Sequence, residues 1–203
     1  AWAWKDILKV YPDAHFIHLI RDPRAVVASL RAAGHGWGKN WASTSVVENA
    51  ELWLRVVGSA RSIKNETSKY LEVRYEDLMR QPVESIGTMF EWLGISESKE
   101  VCYSFVDLCK PENLSKGATN TAWDTSKEPK GFLRGAGIDG WRNDLSEGEV
   151  AEIERVTAPL ASIMGYFPAS TRLLPSAREL TIRTVKYIDR WWEWQRKKIL
   201  KRL

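Results

Sequence analysis

Short apolar runs alternate with helical patterns along most of the chain. The segments HFIHLI (15–20) and YLEVRY (70–75) are bounded by turn-forming residues, which predicts two buried β-strands. Helices alternating with such strands indicate an α/β domain with a parallel sheet, although two strands are few for one. Apolar residues that recur at intervals of three and four predict the helices, over 3–10, 23–33, 45–68, 82–93, 97–109 and 147–164.

Several helix ends are marked by their residues. Asp22 is a good N-cap and Pro23 a good first helical residue, so a helix is expected to begin there. Ser146 and Glu149 have the spacing of a capping box. Gly94 is suited to end the helix over 82–93.

Two segments lack the pattern of a packed element. Residues 111–140 carry many Gly, Pro, Ser, Thr and Lys residues, which predicts a long loop of the kind that is usually functional or mobile. Residues 168–176 form a linker that contains Pro and Ser, and a last helix follows over about 178–202. The sequence therefore predicts an α/β domain over 1–167 and a linker with a C-terminal helix over 168–203.

The predicted C-terminal helix is basic and amphipathic. From Arg178 onward, nine Lys and Arg residues stand against three Asp and Glu, a local charge of +6. Such a helix can cover its own domain, lie on an anionic membrane surface or dock on a partner protein, and these alternatives stay open. The whole chain has a net charge of +4, so the residues before Arg178 carry −2, and no nucleic-acid partner is expected.

The composition is that of a soluble globular protein, with 44% hydrophobic and 28% charged residues among 203. No run reaches the roughly 18 apolar residues that a membrane span needs. Cys102 and Cys109 lie two turns apart in a predicted helix, about 10 Å, which is too far for a disulfide. The two thiols cannot form a metal-binding set, and no metal site is expected.

The segment FIHLIRDPRAVVASL (16–30) places two arginines between a strand and a helix. Arg21 falls at the carboxyl end of a parallel strand, the edge of α/β sheets where ligands bind. The start of the following helix favours anions, and a guanidinium offers a planar fork for a phosphate, to which Ser29 can add a hydroxyl. The alternative is that Arg21 pairs with a carboxylate and that Ser29 is a small packing residue.

The same segment resembles the 3′-phosphate-binding motif of sulfotransferases that use 3′-phosphoadenosine 5′-phosphosulfate (PAPS). In that family an arginine ends the strand and a serine follows eight positions later, as Arg21 and Ser29 do here. Residues 70–95 resemble the family's strand, Tyr-Glu-Asp-Leu turn and helix, and the resemblance places Tyr75 near the adenine.

A third match is GFLRGAGIDGWRNDLSEGEV (131–150), which resembles the family's late loop over the 3′-phosphate. The resemblance gives Arg134 and Gly135 those contacts and makes residues 141–143 the anchor that follows. The family's Lys is replaced by Gly135, so one cationic contact is missing here. The three matches stand in the family's order and cover roughly residues 5–166.

The resemblance implies a three-layer, P-loop-like parallel sheet flanked by helices, followed by the C-terminal amphipathic helix. The family's loop for the 5′-phosphosulfate has no counterpart: GHGWGKN (34–40) follows a helix and has Asn40 where a phosphate loop needs Ser or Thr. We therefore expect a C-terminal portion of a sulfotransferase that lacks the first strand or strands. The catalytic residues are unknown, and His15 and His18 are expected to be structural.

The implied function is transfer of a sulfuryl group from PAPS to a hydroxyl or amine of a small-molecule or glycan acceptor, leaving adenosine 3′,5′-bisphosphate (PAP). The alternative is a non-catalytic nucleotide-binding or scaffold remnant of the same fold. A nucleotide kinase is disfavoured because no phosphate loop is recognisable. The compartment is unknown: the cytoplasm is the default, and a Golgi or membrane-associated location is expected if an anchor precedes Ala1.

Overall fold

The chain forms two compact units, residues 1–156 and 157–203. The C-terminal helix predicted over 178–202 lies outside the residues that the structure describes, and the domain division predicted after residue 167 stays a prediction. Within the described part, no helix is long and apolar enough to cross a membrane. The computed structural model describes residues 3–110, 113 and 137–167.

The elements follow the alternation that the sequence predicts. The described strands are β1 (Phe16–Ile20) and β2 (Tyr70–Arg74). The helices before β2 are α1 (Trp4–Val10), α2 (Pro23–Gly34) and α3 (Val46–Arg61), which a 3₁₀ turn, Ser62–Asn65, continues. The helices after β2 are α4 (Tyr75–Arg80), α5 (Pro82–Trp92), α6 (Lys99–Leu108), α7 (Trp141–Asp144) and α8 (Glu147–Ala161).

The two strands are parallel neighbours. Phe16 lies beside Tyr70, and the register continues to Ile20 beside Arg74. Parallel strands need a crossover connection, which α2 and α3 supply. The α/β prediction is confirmed in this form, a small parallel sheet with many helices, and the three-layer, P-loop-like arrangement stays a prediction.

Some boundaries differ from the predicted ones. The helix expected over 45–68 is α-helical only to Arg61 and then tightens into the 3₁₀ turn. Tyr75, predicted to be the last strand residue, opens α4 instead, because Glu76 and Asp77 in its first turn suit the positive end of the helix dipole. The single turn of α7 is not predicted by the apolar periodicity.

The helix caps are as predicted. The Asp22 carboxylate accepts a hydrogen bond from the backbone N–H of Arg24 at 2.8 Å. At the start of α8, the Ser146 N–H donates to the Glu149 carboxylate at 2.9 Å and the Glu149 N–H donates to the Ser146 hydroxyl at 3.4 Å, which is a capping box. Gly94 follows α5 with a φ of 74°, a conformation that favours glycine.

The core of the larger unit joins α2 and α3 to the later helices α7 and α8. Alanines on α2 and α3 allow close approach, and the larger side chains fill the space between the helices. This packing fixes the N-terminal end of α2, where the anion site is predicted, against a segment more than a hundred residues away. The buried members are Ala25, Val27, Ala28, Ala50, Trp141, Leu145 and Ile153.

One face of the sheet carries a polar cluster that does not belong to the predicted site. His18 Nδ1 lies 2.7 Å from the Tyr70 hydroxyl, and Arg61 Nε donates to the Glu72 carboxylate at 3.0 Å. Burial raises the pKa of Tyr70, so its hydroxyl stays protonated. Burial also lowers the pKa of His18 from its ordinary value of 6.5. The structural role expected of His18 agrees with these contacts.

We predict that the free energy of unfolding falls as the pH drops below about 6.5, because the unfolded chain protonates its His18 before the folded chain does. A His18→Gln variant loses this part of the pH dependence. Urea unfolding at about pH 7.5 and 5.5 measures it. His35→Gln, at an exposed position, is the control and keeps the dependence. An identical pH dependence in wild type and His18→Gln would contradict the prediction.

Candidate anion-binding site

Arg21 lies at the predicted edge of the sheet, directly after the last residue of β1. The indole N–H of Trp53, a buried residue of α3, donates to the backbone carbonyl of Arg21 at 3.0 Å. The helix that crosses back to β2 therefore fixes the backbone from which the Arg21 side chain projects.

The Arg21 guanidinium has two described neighbours. Its Cζ atom lies 4.4 Å from the centre of the Tyr75 ring, a cation–π arrangement. Its Nη2 donates to the backbone carbonyl of Gly137 at 3.2 Å. The Arg21 Nε atom is buried and has no hydrogen-bond partner among the described residues. Part of the hydrogen-bonding capacity of this cation is therefore unused.

The alternative interpretation, in which Arg21 pairs with a carboxylate, finds no support in the described part of the chain. No Asp or Glu oxygen there lies within 4.0 Å of the Arg21 guanidinium. An arginine that has no carboxylate partner but stacks on an aromatic ring is suited to receive an external anion.

The second arginine of the segment, Arg24, is bound internally. Its Nη2 lies 2.6 Å from Asp22 Oδ2, and its Nη1 lies 2.8 Å from Glu154 Oε1. Its Cζ atom lies 4.3 Å from the centre of the Trp141 ring. Burial disfavours its charge, but the hydrogen bonds and charges of Asp22 and Glu154 outweigh burial and raise the pKa of Arg24. The two arginines thus have different surroundings, and the sequence did not predict the carboxylate partners of Arg24.

Buried Glu76 joins the two strand ends. Its carboxylate accepts a hydrogen bond from the backbone N–H of Asp22 at 2.9 Å. Because Asp22 follows Arg21 and Glu76 follows Tyr75, this bond brings the guanidinium and the ring together. It also occupies the backbone N–H of Asp22 at the helix start, which is therefore not available to an anion. Arg21 is therefore a cation at this edge that no described carboxylate neutralises.

Of the other predicted site residues, the structure describes some and not others. Ser29 is exposed on α2, so it is not the small packing residue of the alternative interpretation. It lies about two turns from Asp22, on the same side of the helix. Arg134 and Gly135 lie outside the described residues, although Gly137, two residues later, contacts Arg21. Trp141, the first residue of the predicted anchor, is buried, and the anchor role stays a prediction.

A groove lies elsewhere, between α5 and α6. It has a volume of about 610 Å³ and is lined by residues that include Val83, Phe90 and Cys102. Cys102 is buried and Cys109 exposed, and both are free thiols. Lys99 is the one basic side chain among the lining residues of the groove, and no arginine lines it.

In the described part, no three His, Cys, Asp or Glu residues are grouped so that they could hold a metal ion.

Comparison with known proteins identifies relatives of the chain. Residues 1–99 match the family model described as "Sulfotransferase family". The chain is 31% identical over 113 residues to cytosolic sulfotransferase 13 of Arabidopsis thaliana, covering 52% of this chain and 35% of that protein. It is 24% identical to carbohydrate sulfotransferase 3 of Mus musculus, covering 87% of this chain and 38% of that protein. Human carbohydrate sulfotransferase 5 is also 24% identical, with coverages of 85% and 44%.

These matches confirm the resemblance to sulfotransferases inferred from the sequence. The chain spans less than half the length of each of the three relatives. No solved structure matches it.

We predict that Trp53→Phe lowers the free energy of unfolding by about 1–3 kcal/mol, because the Arg21 carbonyl loses its donor and the smaller ring leaves space. Trp41→Phe is the matched control, since Trp41 is 60% exposed. It should change stability by less than about 0.5 kcal/mol. Denaturant unfolding measures both, and equal losses in the two variants would contradict the role given to Trp53.

Proposed function

We propose that this chain, whose first 99 residues match the sulfotransferase family, acts in transfer of a sulfuryl group from PAPS to a hydroxyl or amine acceptor. In this proposal Arg21 and Ser29 hold the 3′-phosphate of the donor. The observation that carries it is the state of Arg21, a cation at the carboxyl end of β1 with an unused Nε–H and no carboxylate partner among the described residues.

The chemistry of Arg21 supports a phosphate ligand. A guanidinium donates two parallel hydrogen bonds to phosphate oxygens, and such charge-assisted bonds are stronger than neutral ones. Arg24 cannot take this role, because its donors are bonded to Asp22 and Glu154. The exposed hydroxyl of Ser29, on the Asp22 side of α2, is a suitable further donor.

The neighbours of Arg21 support a nucleotide rather than a bare anion. The Tyr75 ring, 4.4 Å from the Arg21 Cζ atom, offers an aromatic surface for a purine base. Gly137 brings the late segment to the same guanidinium, which is consistent with Arg134 and Gly135 acting on the same phosphate. Their positions rest on the sequence resemblance alone.

The reaction places limits on what these residues do. In sulfuryl transfer the acceptor oxygen or nitrogen forms a bond to sulfur, the bond from sulfur to the 5′-phosphate oxygen breaks, and PAP leaves. The acceptor proton passes to a base, for which we assign no residue. Arg21, Ser29 and Tyr75 act by fixing the donor, a positioning contribution to catalysis.

The relatives bear on the acceptor class. Their names describe cytosolic and carbohydrate sulfotransferases, so we propose a small-molecule or glycan acceptor. A contact of the basic C-terminal segment with a membrane surface or a partner protein remains a further proposal. A non-catalytic nucleotide-binding protein of the same family is the alternative function, and it differs from the enzyme by binding PAP without transferring sulfate.

We predict that PAP binds at least about tenfold more tightly than ADP, and that Arg21→Ala weakens PAP binding about 10- to 100-fold with little effect on ADP. The loss arises because Arg21 is assigned to the 3′-phosphate, which ADP lacks. Isothermal titration calorimetry measures both ligands. Arg155→Ala, on the exposed face of α8, is the control and leaves both affinities unchanged.

Equal affinity of the wild-type protein for PAP and ADP would contradict the nucleotide assignment. A preference for PAP without sulfate transfer from labelled PAPS to any phenol, amine or oligosaccharide would favour the non-catalytic alternative.

A further inference from the structure

We propose that Arg24 is a positioning residue, which sets the selectivity for the 3′-phosphate by holding the Arg21 turn and the Gly137 segment together. This inference rests on the proposed function. Its basis is that Arg24 contacts residues next to Arg21 and residues near Gly137, the segment that Arg21 contacts.

The first half of these contacts fixes the turn after Arg21. The Arg24 guanidinium donates through Nε and Nη2 to the Asp22 carboxylate, at distances from 2.6 to 3.2 Å. The Asp22 N–H donates in turn to buried Glu76. The residue that follows Arg21 is thus held at both its side chain and its backbone, which restricts the direction of the Arg21 side chain.

The second half fixes the segment that faces Arg21. Arg24 Nη1 donates to Glu154 of α8 at 2.8 Å, and its guanidinium stacks over the buried Trp141 ring at 4.3 Å. Trp141 opens α7 four residues after Gly137, whose carbonyl accepts a hydrogen bond from Arg21. One side chain therefore contacts both Asp22, the residue after Arg21, and Trp141, four residues after Gly137.

Arg24 does not itself serve as a ligand for the phosphate. Its side chain is 14% exposed, and its Nε, Nη1 and Nη2 atoms all donate to carboxylates. Lysine cannot replace it fully, because an ammonium group neither forks between two carboxylates nor stacks flat on an indole.

A second arginine of α2 provides a matched control. Arg31 binds the Glu149 carboxylate and the Asp144 carbonyl, so it also joins α2 to α7 and α8. It lies seven residues, about two helical turns, beyond Arg24 on α2, and no described contact joins it to the Asp22 turn. Loss of this link affects packing of the same helices without acting on Arg21.

The test measures selectivity rather than affinity alone. We would titrate PAP and adenosine 5′-monophosphate, which lacks the 3′-phosphate, into wild type, Arg24→Lys and Arg31→Lys. The quantity recorded is the dissociation constant of the monophosphate divided by that of PAP. Arg24→Lys should lower this ratio about tenfold or more, because a small displacement of a binding group is costly. Arg31→Lys should leave the ratio within about twofold while lowering the unfolding midpoint.

Two further variants keep the test decisive. Glu154→Gln, at a partner that is 31% exposed, should lower the ratio by a smaller factor even where Arg24→Lys fails to fold. In the variant that combines Arg24→Lys with Glu154→Gln, the ratio should be no lower than in Arg24→Lys alone. Both changes weaken the same bond between Arg24 and Glu154.

Two kinds of result would contradict the proposal. An unchanged ratio in folded Arg24→Lys or in Glu154→Gln, or an equal drop in Arg31→Lys, would overturn the role of Arg24 and leave the role of Arg21 standing. A wild-type protein with no preference for PAP over the monophosphate would overturn the proposed function, and with it this inference.

Discussion

The site depends on one hydrogen bond, from the backbone N–H of Asp22 to the buried carboxylate of Glu76. A buried carboxylate is costly unless its oxygens are hydrogen-bonded, so this contact strongly favours one arrangement of the two strand ends. Arg21 precedes one partner and Tyr75 precedes the other. Together with the parallel pairing of β1 and β2, this bond helps to bring a guanidinium against an aromatic ring at the sheet edge.

Near this bond lie two arginines three residues apart, of which only one is paired with described carboxylates. Arg24 is neutralised by Asp22 and Glu154 and holds helices together. Arg21 keeps its charge uncompensated by any described carboxylate, and a cation in that state attracts anions. The division matters for function, because a phosphate competes poorly for an arginine that two carboxylates already bind. This difference between the arginines depends on segments distant in sequence. Glu154 lies 130 residues after Arg24, and Gly137 lies 116 residues after Arg21.

Local sequence signals predict local structure well here. The two strands, the Asp22 N-cap, the capping box at Ser146 and the position of Arg21 each depend on residues a few places apart, and each is confirmed. What the sequence did not reveal depends on long-range contacts. The pairing of Arg24 with Glu154 spans 130 residues, and no local pattern predicts it. The run over 70–75 predicts Tyr75 as the last strand residue, but tertiary contacts of its neighbour Glu76 and the helix dipole favour a helix start.

The most direct test of the account is an experimental structure of the protein with PAP bound. The account predicts that the 3′-phosphate oxygens lie within hydrogen-bond distance of the Arg21 guanidinium and the Ser29 hydroxyl, with the adenine near Tyr75. Arg24 should keep its bonds to Asp22 and Glu154 unchanged. A 3′-phosphate bound away from Arg21, or held by Arg24 instead, would contradict the central claim that Arg21 is the phosphate-binding arginine of this fold.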